Sequence, residues 1–340
     1  LNPEGLKQEE PIEALSPAGV VFLWAVGAEA AIGSSIDFLQ QVLNGVSLGA
    51  IYGLIALGYT MVYGVLRFIN FAHSEVFMTG AFAGWFFAQM MPGAAQVVGG
   101  PSSHPLWVGI LVLVMAMAVG SCLGMLIEFL AYRPLRMRPR LICLITAIGV
   151  SLLLQNTGLL FLGAAPRPYP QLFPATTFDF FGLIISTNQI VVIATTLVLL
   201  VTLHLVVHHT KLGTAMRAVS QNSMAAALVG INPGTVITFT FGLGSALGAA
   251  GGVLYAINFP SIDPLMGMLP GLKGFVSAVL GGIGNIPGAA LGGLILGIAE
   301  TFVNGSDYST FTDAIAFGIL IVLLLFKPEG LLGKRRVEKV

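Results

Sequence analysis

The chain has 340 residues, 56% of them hydrophobic and 9% charged, with a formal net charge of zero. Soluble domains carry about 25% charged residues, so this chain cannot face water all round, and its zero net charge implies neither an acidic partner nor nucleic acid. Long apolar stretches, rather than short alternating ones, exclude an outer-membrane barrel and predict an all-α fold: a polytopic transmembrane helical bundle.

In chain order, residues 1–16 are polar and acidic, starting at Leu1. The run Ala18–Gly33 is 16 residues long and holds Glu29. A span needs ~20 residues, and the basic flank of a signal peptide is missing. Residues 1–36 therefore read as an N-terminal extension and a candidate extra membrane segment. Apolar segments follow at 40–65, 76–91, 107–131, 141–163, 183–207, 235–257, 273–303 and 311–326. They make a transmembrane domain over 37–326, followed by a basic tail, 327–340.

The basic residues set the orientation. Arg133, Arg136, Arg138 and Arg140 share one connection, Lys211 and Arg217 another, and Lys327, Lys334, Arg335, Arg336 and Lys339 the tail. By the positive-inside rule these regions are cytoplasmic. The connections 92–106 and 164–182, with only Arg167 between them, lie outside.

Parity then constrains the last third. Segment 235–257 leads outward and the tail is inside, so 273–303 and 311–326 must make an odd number of crossings. The stretch 273–303 is therefore expected to fold back, as a broken re-entrant pair or as two short crossings, with the break at Gly281, Gly282, Gly284, Asn285, Pro287 and Gly288. Irregular backbone at membrane depth needs protein cover or a wet cavity, which makes Gly282 and Gly284 candidate pathway residues. Glycines four apart (Gly45, Gly49, Gly53; Gly244, Gly248, Gly252; Gly288, Gly292; Gly293, Gly297) predict close helix packing. Glycine-rich regions in both halves raise the prospect of an internal repeat.

Residues 67–75 read RFINFAHSE, a polar cluster in apolar surroundings. Two readings stand. Asn70, His73 and Glu75 cap the next helix, where Glu75 suits the macrodipole, with Arg67 an inside anchor. Alternatively they mark a break in a discontinuous helix and line an inner gate. His73 and Glu75, two apart, fall on different sides of a helix. Glu128 reads as interfacial, and Glu300 either as structurally paired or as a pathway residue. Cys122 and Cys143 both lie in apolar segments, with neither zinc spacing nor a disulfide framework. No GxxxxGK[ST], HExxH or nucleophile-elbow pattern occurs, so neither nucleotide phosphates, nor a metal, nor a protease nucleophile is implied.

The connection 208–234 is the longest on the cytoplasmic side. A short helix is expected over Ser220–Val229, capped by Asn222 and Ser223, with Ala225–Val229 as an apolar patch; Asn232 and Pro233 turn the chain into the next span. Such a patch lies against the chain's own bundle or docks onto a cytoplasmic partner.

Four blocks carry a resemblance: NGVSLGAIYGLIALGYTMVYGVLRFINFAHSEVFMTGAF (44–82), GTAMRAVSQNSMAAALVGIN (213–232), GLKGFVSAVLGGIGNIPGAALGGLILGIAE (271–300) and LLLFKPEGLLGKRR (323–336). In this order they resemble permeases of branched-chain amino acid ABC transporters, closest to the LivH-type subunit. The family usually has glycine where this chain has Ser74, and starts near Asp37. The resemblance implies a multi-pass subunit of the bacterial inner membrane with a cytoplasmic C-terminus. It implies four kinds of neighbour: a second, related permease, two cytoplasmic ATPase subunits, an extracytoplasmic substrate-binding protein and the lipid bilayer. ATP would be bound by the partner subunits, leaving this chain without a cofactor or enzymatic activity of its own. Arg217, Ala225, Ala226 and Gly230 fall in the family's coupling loop. Permeases for urea or short amides, and a self-powered carrier or channel, are the alternatives.

Overall fold

The computed structural model describes residues 17–66, 68–91, 106–136, 138–174 and 176–333, with side chains from Ile36 onward except that of Arg140. Expectations resting on residues 1–16, Glu29, Arg67, the 92–105 connection, the Arg140 side chain and the tail from Lys334 lie outside the described residues.

Eleven helices are described: α1 (Pro17–Leu66), α2 (His73–Met90), α3 (Leu106–Ile127), α4 (Arg140–Leu162), α5 (Thr187–His209), α6 (Lys211–Gln221), α7 (Ser223–Leu228), α8 (Pro233–Asn258), α9 (Met268–Gly281), α10 (Ile286–Asn304) and α11 (Thr312–Phe326). Two small antiparallel ribbons accompany them: β1 (Arg167–Pro168) with β4 (Ser261–Ile262), and β2 (Thr177–Phe180) with β3 (Leu183–Ser186). Among the described residues, 7 helices are long and apolar enough to cross a membrane: α1 from Ile36, α3, α4, α5, α8, α10 and α11 with the turn before it. The run from Ala18 is continuous with the first span in α1. Residues 183–186, expected as the start of a span, form β3 instead, and α5 begins after them. There Ser186 and Gln189 make a reciprocal capping box.

The expected break in 273–303 is present. The stretch 273–303 is two helices, α9 and α10, with the break between Gly281 and Ile286. Three helices therefore follow α8: the shorter α9, and α10 and α11, which are long enough to cross. Asn285 starts α10 by accepting from the Gly288 amide at 3.3 Å, with Pro287 in the first turn.

Glycine faces set the centre of the bundle. A Cβ on Gly45 would sit 2.6 Å from Ile298 Cα, and one on Gly293 2.4 Å from the Gly53 amide nitrogen. Only hydrogen at these positions lets α1 and α10 approach this closely. α1 and α8 form the heart, their most apolar windows 94% and 78% buried, whereas α4 and α11 sit outside at 17% and 11%. The α3–α4 connection, α6, α7, the start of α8 and the α9–α10 turn gather at one end, here the basic end. The ribbons lie at the other, where Gln40 near the start of the span exchanges hydrogen bonds with the Ile184 backbone at 3.0 and 2.9 Å.

Candidate functional site

At the basic end, α6 stops at Gln221 and Asn222 starts a separate short helix. Its Oδ1 accepts from the Met224 and Ala225 amides, both at 3.0 Å. The expected Ser220–Val229 helix is thus corrected: Ser220 belongs to α6, and the strong cap at Asn222 divides the two. Beyond α7, Gly230 takes φ +87°. Its amide bonds the Ala227 carbonyl at 3.1 Å and the Ile231 amide bonds the Ala226 carbonyl at 3.0 Å. This is the left-handed helix stop that glycine permits. Ala226 is buried against the bundle, while Met224, Leu228 and Val229 are 76%, 85% and 76% exposed and make an apolar knob; Ala225 is exposed beside them. Arg217 works internally: Nη1 donates to the Val207 and His208 carbonyls at 2.7 and 3.2 Å, tying α6 to the end of α5.

The polar cluster before α2 sits inside the bundle. A Cβ on Gly58 would lie 2.2 Å from His73 Nε2, and one on Gly248 2.7 Å from its Cε1. His73 therefore fills a slot between α1 and α8, with the Tyr59 ring edge-on at 4.7 Å. Gly58 stands two turns before the end of α1, about 12 Å of helix, so the chain climbs back into the bundle before α2 begins. Neither ring nitrogen of His73 makes a hydrogen bond of ordinary geometry, although the Ile55 carbonyl interacts with the ring. Asn70 Oδ1 accepts from the Tyr132 hydroxyl at 2.6 Å and from the Ala72 amide at 3.2 Å. Glu75 points the other way, accepting from Ser151 of α4 at 3.1 Å and from Ser74 at 3.4 Å. Ser74 itself fits because α9 offers glycine opposite it: a Cβ on Gly271 would lie 2.4 Å from Ser74 Cβ.

Glu300 is elsewhere. Lys273 Nζ contacts Glu300 Oε1 and Asp313 Oδ1, with the Tyr52 ring 6.0 Å away. Gly282 and Gly284 have φ +102° and +93°. A Cβ on Gly282 would sit 2.6 Å from the Gly333 amide nitrogen, so this glycine makes room for the segment around Gly333. Gly284 is exposed, with open space around it. The structure thus groups Asn70, His73 and Glu75 at one helix start and keeps Glu300, the α9–α10 break and α7 apart from them.

A family model described as "Branched-chain amino acid transport system / permease component" matches residues 41–325. The chain belongs to that family. It is 42% identical over 309 residues to the high-affinity branched-chain amino acid transport system permease protein BraD of Pseudomonas aeruginosa, covering 89% of this chain and 98% of that one. It is 41% identical over 308 residues to the permease protein LivH of Escherichia coli, with the same coverage. A probable LivH of Methanocaldococcus jannaschii is 28% identical over 302 residues, covering 82% of this chain and 88% of that one.

Three features of this branched-chain permease family member escaped the sequence reading. Lys273 and Asp313 join Glu300. Gly58 and Gly248 hold His73. Glu128 is fully buried, pairing with Arg136 and accepting from the Thr238 hydroxyl at 2.6 Å. Lys273 in an apolar helix was the one visible signal, because a lone membrane-depth charge demands a partner.

Proposed function

We propose that this chain is the translocating subunit of an ATP-driven importer of branched-chain or other neutral amino acids. It works by alternating access, and separate chains hydrolyse the ATP. The observation that carries the reading is the α7 knob: apolar, exposed, capped at both ends and placed at the basic end of the bundle. By the positive-inside rule that end faces the cytosol, where two ATPase subunits would cover the knob. The C-terminus lies on the same side, in a bacterial inner membrane. A second, related permease completes the membrane part, and an extracytoplasmic binding protein delivers substrate to the ribbon end.

The test is reconstitution with the candidate ATPase, the second permease and the binding protein in proteoliposomes. Leucine uptake should require ATP and persist when ion gradients are collapsed. Uptake that continues without ATP on an intact ion gradient would make the chain a self-powered carrier, for which the Lys273–Glu300–Asp313 cluster is the one structural argument.

A further inference from the structure

The end of α3 departs from α-helical winding. Residues Glu128–Tyr132 form a π turn, followed by a 3₁₀ turn at Arg133–Leu135. Pro134 cannot continue the α-helical ladder, and single π turns inside helices recur at functional positions. This turn carries two buried polar side chains that reach different elements. Glu128 has no exposed surface; its Oε1 pairs with Arg136 and its Oε2 accepts from Thr238 on α8. Tyr132, 1% exposed, donates to Asn70, which organises the start of α2.

α8 in turn follows directly from the knob. Asn232 caps it, accepting from the Gly234 and Thr235 amides at 2.9 and 3.4 Å, only two residues after Gly230. Backbone and side-chain hydrogen bonds therefore trace one path: α7, Asn232, the first turns of α8, Thr238, Glu128, the π turn, Tyr132, Asn70 and the start of α2. Of the side chains that make these contacts, Glu128, Tyr132 and Asn70 are buried and Thr238 is half-buried, so little water is at hand to replace a lost hydrogen bond.

We infer that the Glu128–Tyr132 π turn is the joint that carries movement of α7 and α8 to the α2 start, with Glu128 and Tyr132 as positioning residues. The inference rests on the coupled-transport reading above. A thrust on α7 moves the capped end of α8. Thr238 and Arg136 hold Glu128 to that end, and Tyr132 hands the displacement to Asn70. His73, wedged between Gly58 and Gly248, and Glu75, bonded to Ser151, then shift together.

The test uses the assembled transporter in proteoliposomes, with leucine as the probe. Tyr132→Phe removes one hydroxyl and keeps the ring packing, so it is the principal variant; Glu128→Gln is the second. Both should hydrolyse ATP while leucine moved per ATP falls at least about fivefold, the low end of usual coupling energies. The melting temperature of Tyr132→Phe should stay near that of the parent. A second readout needs no transport. Asn232→Ala, which loosens the start of α8, should speed amide exchange at Ala72–Val76 in the parent and leave it unchanged in Tyr132→Phe. An unchanged ratio of leucine to ATP in Tyr132→Phe overturns the inference. So does exchange at Ala72–Val76 that responds to Asn232→Ala equally in both backgrounds. If the parent moves no leucine on ATP, the transport reading falls, and the exchange experiment alone decides the joint.

Discussion

Lys273 Nζ lies 2.7 Å from Glu300 Oε1 and 2.7 Å from Asp313 Oδ1, so one ammonium ties α9 to both α10 and α11. Lys273 and Glu300 are buried, while Asp313 is half exposed. Removing one partner of a buried ion pair strands the other charge, at a cost of about 3–5 kcal/mol. Lys273→Met should therefore lower the unfolding temperature sharply in detergent. Adding Glu300→Gln to it should recover most of the loss, because no buried charge is then left stranded; Asp313, the remaining partner, is half exposed and can be solvated. A double variant no more stable than Lys273→Met would show that the lysine contributes something besides charge balance.

The slot around His73 makes a second expectation. At Gly58 a Cβ would meet the His73 ring 2.2 Å away and the Gly244 carbonyl oxygen at 2.8 Å. Overpacking of this kind costs about 1–3 kcal/mol. Gly58→Ala should destabilise the bundle, and His73→Ala in the same chain should relieve the larger part. Thermal unfolding of the two variants checks this; equal destabilisation would place the clash with Gly244 rather than the ring.

The knob can be tested without disturbing the fold. Leu228 is 85% exposed, and exposed substitutions usually change stability by less than about 0.5 kcal/mol. Leu228→Asp should keep the melting temperature and abolish co-purification of the ATPase subunits. Retained co-purification would remove the knob from the ATPase contact.

Gly230 answers a different question. Its φ of +87° is one that a side chain tolerates at a cost of roughly 1–2 kcal/mol. Gly230→Ala should fray the end of α7, seen as faster amide exchange at Val229 and Ile231, whether or not anything docks there. Unchanged exchange would mean the helix stop does not depend on this glycine.

Arg217 stabilises the junction of α5 and α6 through two carbonyls. Arg217→Ala should speed exchange throughout α6 while leaving the α7 caps intact. Exchange confined to α7 would point instead to a role beyond the junction.

Charge and composition made much of this legible. Counting basic connections led to the expectation of a break in 273–303, and the structure has one between α9 and α10. The RFINFAHSE cluster was visible because four polar groups interrupt an apolar run. What joins them was not. Asn70 meets Tyr132 62 residues away, and Glu128 meets Thr238 110 residues away; no local pattern encodes such distances. Glycine spacing indicated close packing, but not that Gly58 and Gly248 make room for an imidazole. The division at Asn222 was readable, since an asparagine followed by serine is a helix-start signal, but the alanine-rich run after it invited one continuous helix. The ribbons at 167–186 are too short for periodicity to register.

Among the described residues after α11, Leu331 and Leu332 are bound to the bundle. The Leu331 and Leu332 amides donate to the Leu280 and Gly281 carbonyls at 2.8 and 3.1 Å, and Asn285 Nδ2 donates to the Leu332 carbonyl at 2.8 Å. Leu331 and Leu332 thus serve as a plug of hydrogen bonds for the last turn of α9. Affinity handles, fluorescent fusions or truncations intended to leave this protein undisturbed therefore belong downstream of Gly333, and a cut upstream of it would unstitch a helix end far away in the chain.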